Sequence, residues 1–403
     1  MKKRNNLLQT KVITAKAIIS AFVVALFLSP TVSAQDDSDP KNQFNPLTNG
    51  VPSLTFAPDA RSSGMGDVGV ATEPDVWSQH WNMAKYPFAY SKAGIGVSYT
   101  PWLRSLIDDI DLAYLSGYYK IGEAENIAIG GSLRYFSLGQ INMTDWNGAH
   151  IMAVNPYEMA VDAGVSLKTS DVFAIGATFR YIHSDLGSGV EELYPGSAMA
   201  VDVGGYYNNY VVVGNSESLL GLGIVFSNLG SKISYDDGNT NNFLPANLRL
   251  GASFLYPMDD YNTLALSVDL NKYLIPTPPY TEGMTSEEKQ AALNKYFATS
   301  PLTGAINSFS DAPGGWKEEL NEITYSLGAE YSYRNQFFFR GGYFYEHPNK
   351  GNRQYFTVGA GFRLTAFELN VSYLISSVPS NALDQTLRLS LSFDMDGLKN
   401  LLK

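Results

Sequence analysis

The sequence predicts an all-β protein, a 14-stranded antiparallel transmembrane β-barrel with an N-terminal plug segment in its lumen. Three observations lead there. From residue 93 to 395 apolar and polar residues alternate with a period of two. The connections between the alternating runs are short and long in turn. One long segment, 60–84 (ARSSGMGDVGVATEPDVWSQHWNMA), is not strand-like and comes first, where a barrel of this size needs something inside it.

The alternation is easily counted in 157–168: Tyr157, Met159, Val161, Ala163, Val165 and Leu167 share one face, with Glu158, Ala160, Asp162, Gly164, Ser166 and Lys168 on the other. In 365–375 Phe367, Leu369, Val371, Tyr373 and Ile375 oppose Glu368, Asn370 and Ser372, and only Leu374 departs. Strands are expected at 93–103, 110–121, 126–138, 157–168, 171–183, 197–212, 217–228, 245–256, 260–272, 321–333, 335–346, 353–363, 365–377 and 385–395. These lengths suit tilted strands that cross roughly 9 to 11 residues of hydrocarbon.

Every second connection is tiny, from 122–125 through Thr169-Ser170 and Arg334 to Leu364, while 139–156, 184–196, 229–244 and 273–320 are long. Outer-membrane barrels have short periplasmic turns and longer outer loops, so both termini are expected on the periplasmic side. A soluble β-sandwich predicts no such rhythm and would expose its aromatic faces to water. Within 273–320, Thr285 and Glu288 form a capping box that opens a helix through EEKQAALNKYF, and a second short helix is expected in WKEEL.

The N-terminus carries Lys2, Lys3, Arg4, Lys11 and Lys16, then the apolar run AIISAFVVALFL and the small ending Val32-Ser33-Ala34. Residues 1–34 read as a signal peptide, the run being too short for a bilayer-spanning helix. They hold five of the 28 basic residues and none of the 39 acidic ones, so the remainder has a net charge of −16. Nucleic acid is excluded as a natural partner. Cysteine is absent, which removes disulfide and thiol chemistry. Residues 35–50 (QDDSDPKNQFNPLTNG) read as a flexible periplasmic arm, 51–92 as the plug, 93–395 as the barrel and 396–403 as a polar tail.

Gly64, Gly66 and Gly69 match a dinucleotide fingerprint by spacing. The context argues otherwise: Pro58 precedes them, Pro74 stops any helix, and 85–99 contains no acid. They are expected instead to let a bent backbone approach the barrel wall. No H-E-x-x-H or G-x-S-x-G occurs and the four histidines are scattered, so no catalytic residue, metal site or cofactor is expected. The loop 236–242 is rich in Asp and Asn but lacks EF-hand spacing and reads as a turn. Polar faces carry both signs, among them Arg134, Asp162, Arg180, Asp202, Arg249, Asp269, Glu330, Arg340, Arg363, Glu368 and Arg388, which can cross-link strands and grip a plug. In the plug, Arg61, Asp67, Asn82, Trp77 and Trp81 are the expected gripping residues.

The strand count with its N-terminal hatch resembles the FadL family of outer-membrane channels. More closely, Ala57 to Arg61 (APDAR), Gly64 to Thr72 (GMGDVGVAT) and Ser78-Gln79-x-Trp81-Asn82-x-Ala84-Lys85 resemble the PorV family, FadL-like subunits of the type IX secretion system, with which the PorQ proteins share the plug motif. One departure is Met83, where that family has proline in Asn-Pro-Ala. The resemblance implies an outer-membrane protein that binds the C-terminal signal domain of secreted cargo, with translocon and attachment-complex subunits and outer-membrane lipid as further partners. It implies shuttling of cargo from the translocon to the attachment complex. The alternative is a FadL-type channel for hydrophobic small molecules. Cargo binding is expected on the long loops, through Trp146, Tyr194, Tyr280, Tyr296, Phe297, Phe309 and Trp316, because exposed aromatics favour protein contacts.

Overall fold

The computed structural model describes residues 44–102, 109–187, 190, 193–214, 216–281, 283–378 and 383–401; the expected signal peptide lies outside them. Fourteen strands close into one antiparallel barrel: β1 (Ala93–Trp102), β2 (Ile110–Ile121), β3 (Ile127–Leu138), β6 (Tyr157–Ser170), β7 (Phe173–Asp185), β8 (Gly196–Val213), β9 (Ser216–Gly230), β10 (Asn247–Pro257), β11 (Asn262–Tyr273), β12 (Ile323–Tyr333), β13 (Phe337–Tyr345), β14 (Gln354–Arg363), β15 (Phe367–Ser376) and β16 (Leu387–Asp394). Each pairs with its neighbours in sequence, and β1 pairs with β16 to close the ring. No boundary departs from the expected one by more than 2 residues. Among the described residues no helix is long and apolar enough to cross a membrane, which leaves the strands to do so.

The barrel is turned inside out relative to a soluble protein. On β7, Ile175, Phe179 and Tyr181 are exposed while Thr178 and Arg180 are buried, and on β1 Ile95 and Val97 face out opposite Ser98. An apolar outside suits lipid, and a polar inside must then find its partners within the lumen. It does so partly across strands. Arg180 stands opposite Asp162 in the β6–β7 register, bonds it at 3.1 Å and reaches Asp202 on β8 at 2.8 Å. Glu330 on β12 pairs with Arg340 on β13 in the same way, at 2.5 Å.

Other inward groups, among them Glu330, Asp269 and Tyr355, are met by the segment ahead of β1. Short helices at Ala60–Ser63 and Ser78–Trp81, with 3-10 turns at Pro52–Thr55 and Met83–Phe88, fold it compactly. Asp59 caps the first of them, accepting from the Ser62 amide at 2.8 Å. Pro87 lies in a 3-10 turn, where a missing amide hydrogen is tolerated.

The chain crosses the lumen from one end to the other. Residues 44–50 lie at the end with the long connections, where the Asn45 amide donates to the Asn349 carbonyl at 2.8 Å and its side chain donates to Glu318 at 3.2 Å. Val51 and Leu54 then pack with Ile182, Ile233 and Leu244. At the opposite end, Lys120 donates to the Ala89 carbonyl at 2.7 Å and Ser91 to Asp394 at 2.6 Å, just before β1 begins.

One expectation is corrected here. Residues 44–50 are not a free arm, since their polar groups are bonded to loops far away in sequence. The first and last described residues, 44 and 401, lie at opposite ends of the barrel, and the termini whose side was expected lie outside the described residues. The stretch after Asp394 is a short helix, Met395–Leu401, in which Asp394 accepts from the Asp396 amide at 2.8 Å. A further element was not expected: β4 (Ile141–Thr144) and β5 (His150–Val154) form a separate hairpin in the 139–156 connection.

Candidate functional site

Two regions hold the residues singled out by the sequence. The first is the lumenal segment. Arg61 donates to Glu330 at 3.2 and 3.3 Å and to Asp75 at 2.8 Å, so one buried guanidinium joins the segment to itself and to the wall. Asp67 accepts from the Tyr355 hydroxyl at 2.6 Å. Asn82 donates to the Gly205 carbonyl at 3.1 Å, and its carbonyl oxygen accepts from the Ala84 amide at 3.1 Å. The latter bond caps the 3-10 turn, so Met83 replaces proline without loss of the turn. Trp81 donates to Asp59 at 2.8 Å and lies under the Arg249 guanidinium at 5.4 Å. Trp77 is buried against Gly96 and Tyr114.

The glycines of the segment stand at close approaches of its backbone to its surroundings. Gly66 has φ +70°, and a Cβ there would press on the backbone of Tyr343 and Leu327. A Cβ at Gly69 would overlap the Trp81 indole, and one at Gly64 would touch Gly359. The wall answers with its own glycines. Gly342 meets Gly66 backbone to backbone, Gly328 meets Met65, and Gly204 meets Asn82. The Gly69 and Val70 amides converge on one carboxylate oxygen of Asp269, at 2.7 and 2.9 Å. Asp269 is one of the inward charges expected to grip the segment, whereas the wall glycines were not assigned to it from sequence, although their inward positions in the alternation were readable.

The second region is the group of long connections. The 274–322 connection carries helices Ser286–Ala298, Pro301–Asn307 and Trp316–Asn321. The first opens on the expected capping box, with the Thr285 side chain accepting from the Glu288 amide and Glu288 accepting from the Thr285 amide at 2.9 Å. An ionic clasp fastens this connection to the barrel rim. Lys272 bonds Glu319 at 3.0 Å and Glu322 at 2.7 Å, and Lys350 bonds Glu318 at 2.6 Å and Glu322 at 3.0 Å. Burial pushes the Glu318 carboxyl up, but Lys350 and the Gly314 amide outweigh it and hold the group below its ordinary value of 4.5.

The seven loop aromatics divide. Trp146, at the tip of the β4–β5 hairpin, is 94% exposed, Trp316 is 69% exposed, and Tyr194 and Phe309 are also exposed. Tyr296 is only 8% exposed, packed on Phe243 and Phe297 with ring centroids 5.5 and 5.1 Å away. Tyr280 is half-buried and donates to Glu318 at 2.9 Å. Tyr296, Phe297 and Tyr280 therefore hold the connection together and are not presented on its surface. Leu302, 73% exposed, and Ile306 stand four apart on the helix Pro301–Asn307, with exposed Phe309 just after it, and none of the expected loop aromatics pointed to the two aliphatic residues. In the 236–242 loop, Asp236 accepts from the Thr240 amide at 2.7 Å and closes a turn.

The model of one protein family, described as Type IX secretion system protein PorV, matches residues 39–280. The chain belongs to the PorV family. As a member it is an outer-membrane protein of the type IX secretion system, and its closed barrel is the means of residence there. Among solved structures it is similar to the toluene transporter TodX of P. putida (TM-score 0.47, 10% identity, 84% of this chain and 97% of that one). It is also similar to the toluene transporter TbuX of Ralstonia pickettii (TM-score 0.42, 12% identity, 84% and 96%) and to a Pseudomonas aeruginosa FadL homologue (TM-score 0.38, 12% identity, 87% and 99%). No curated protein matches the chain.

Proposed function

We propose that this PorV-family barrel holds secreted cargo by its C-terminal signal domain on the long-connection face and carries it from the translocon to the cell-surface attachment complex. In this reading the long connections face outward and the short turns face the periplasm. Residues 51–92 act as a plug. The observation that carries the reading is the apolar outer surface of an otherwise clasped lid: Leu302, Ile306, Phe309 and Trp316 are exposed although the lid buries Tyr296, Phe243 and Ile275 beneath them. Apolar side chains left out of a well-packed loop core mark a protein-binding patch.

The channel alternative is served less well. A diffusion path for hydrophobic molecules needs an apolar route, whereas the lumen at the depth of Arg61 is occupied by buried ion pairs. The test is to replace Leu302, Ile306, Phe309 and Trp316 with serine in the full chain and to purify the barrel from cells. The substitutions keep every ion pair of the clasp and the buried aromatics, and remove from the clasp only the Phe309 ring 5.9 Å from Lys272 Nζ, so the barrel should fold and its cargo yield should fall at least tenfold. An undiminished cargo yield on the folded variant refutes the assignment of this face.

A further inference from the structure

One hairpin of the barrel outruns its neighbours at the short-turn end. β8 has 18 residues and β9 has 15, whereas the strands that flank them, β7 and β10, have 13 and 11. The β7–β8 register ends where Phe173 meets Tyr207, and one further bond, from the Asn208 amide to the Val172 carbonyl at 2.8 Å, is the last on that side. β8 nevertheless runs on to Val213, with Tyr210 to Val213 paired only to β9, opposite Leu219, Ser218, Glu217 and Ser216.

Residues 209–213 are therefore an open edge. In an antiparallel ladder alternate residues turn their N–H and C=O groups to the same side. Asn208 faces the β7 side, so Tyr210 and Val212 do too, and no strand among the described residues receives them. Natural sheets blunt such edges with lysine, proline or a bulge. Here 208–213 reads NNYVVV, without lysine or proline, and no register shift falls in it. Tyr210 is 67% and Val212 43% exposed, both on one face of the strand. The free polar groups nearby are acceptors. The exposed carboxylates of Asp171, in the turn before β7, and of Glu217 have no ion pair or hydrogen bond among the described residues, and Oδ1 of Asn208 has no partner. A lipid chain could cover Tyr210 and Val212 but would leave the ladder groups unmade, which hydrocarbon does not permit. An extended basic strand satisfies all three features at once.

We propose that the β8 edge at 209–213 receives an extended strand of a partner protein, an alternating apolar segment bearing lysine or arginine, which continues the barrel sheet past the end of β7. Tyr210 and Val212 supply the ladder bonds and the apolar contacts, while Asp171 and Glu217 favour basic residues in the incoming strand. With the long connections outward, this partner is periplasmic. The edge lies at the end of the barrel opposite the lid, so the inference stands independently of whether cargo rides on the lid.

Its test places a photoreactive side chain at Tyr210 of the full chain in living cells, with exposed Glu123, on another short turn, as the control position. Tyr210 should give one discrete protein adduct, cross-linked through a segment that alternates apolar residues and carries lysine or arginine, and Glu123 should not give it. Val212→Pro removes one edge N–H but keeps the β9 bonds of Val211 and Val213, and should cut the adduct about fivefold, the worth of one backbone hydrogen bond. Val212→Lys, which installs an edge guard without touching the backbone, should also cut it, whereas Val212→Thr should leave it unchanged. Joint replacement Asp171→Asn and Glu217→Gln should lower it as well. Each variant's fold is checked by heat-modifiable gel mobility. In the purified barrel in detergent, the amides of Tyr210 and Val212 should exchange with deuterium as fast as those of a loop, and their protection there overturns the open edge. No adduct from Tyr210 in a folded barrel, an adduct with lipid alone, or a protein adduct that both Val212→Pro and Val212→Lys leave at full strength overturns the strand partner.

Discussion

Removing Glu330 is the sharpest perturbation of the barrel's interior. This carboxylate stands between two buried guanidiniums, bonding Arg61 at 3.2 and 3.3 Å and Arg340 at 2.5 Å. Breaking a buried pair by deleting one partner costs roughly 3–5 kcal/mol, because the other charge stays behind without compensation. Here two charges stay behind, but each keeps something: Arg61 retains Asp75 at 2.8 Å, and Arg340 retains Asn370 at 2.6 Å. The lower end of the range, about 3 kcal/mol, is therefore expected for Glu330→Ala. The loss should concentrate on the lumenal segment, since Glu330 is its link to β12. The assay pairs a urea midpoint with single-barrel conductance in a planar bilayer. Glu330→Ala should unfold earlier and show opening events that the parent lacks. Arg363→Ala, which breaks the half-exposed bridge to Glu368 at 2.6 Å, should stay within about 1 kcal/mol and conduct like the parent. If the two variants are indistinguishable in both measurements, the segment is not held by this pair.

Gly341 and Gly342 should respond oppositely. A Cβ at Gly341 meets nothing nearer than 4.0 Å, whereas one at Gly342 lands on the backbone of Met65 and Gly66. Gly342→Ala should cost about 1–3 kcal/mol as overpacking and make 51–92 protease-sensitive, while Gly341→Ala should do neither. The clasp should be acid-labile. A carboxylate held below its ordinary pKa of 4.5, as Glu318 is, contributes stability that is present above 4.5 and lost as the pH falls through its lower folded value. Pepsin should cut the 276–310 loop faster as the pH drops below about 4.5, and Lys350→Met should abolish most of that pH dependence. An equal cleavage rate on both sides of that window would remove the clasp from the account.

The strands were legible because lipid outside and a filled lumen inside impose the same alternation on every one of them. Ile95, Val97 and Ile175 could be placed on the outer face from period alone. The β4–β5 hairpin escaped because its strands are largely exposed and carry no buried stripe, so Asn147-Gly148 was the only local sign of its turn. Residues 44–50 escaped for a different reason. Their composition is that of a solvated arm, and the partners of Asn45, at Pro278 and Glu318, come from connections more than 200 residues away. Tyr296 was misplaced because an aromatic on a loop helix looks the same in sequence whether it faces a partner or Phe243. Similarly, the inward positions of Arg249 and Arg388 could be read from period, but their lack of carboxylate partners is a property of the closed ring.

Site-specific photocross-linking in living cells tests most directly whether cargo rides on the long-connection face. A photoreactive side chain would be placed at Trp316, at Leu302 and, as a lipid-facing control, at Phe339, each of which is exposed. The expected result is adducts with secreted proteins through their C-terminal regions from Trp316 and Leu302 and none from Phe339. Barrels that fold and reach the outer membrane, yet give no cargo adduct from either lid position, would contradict the account.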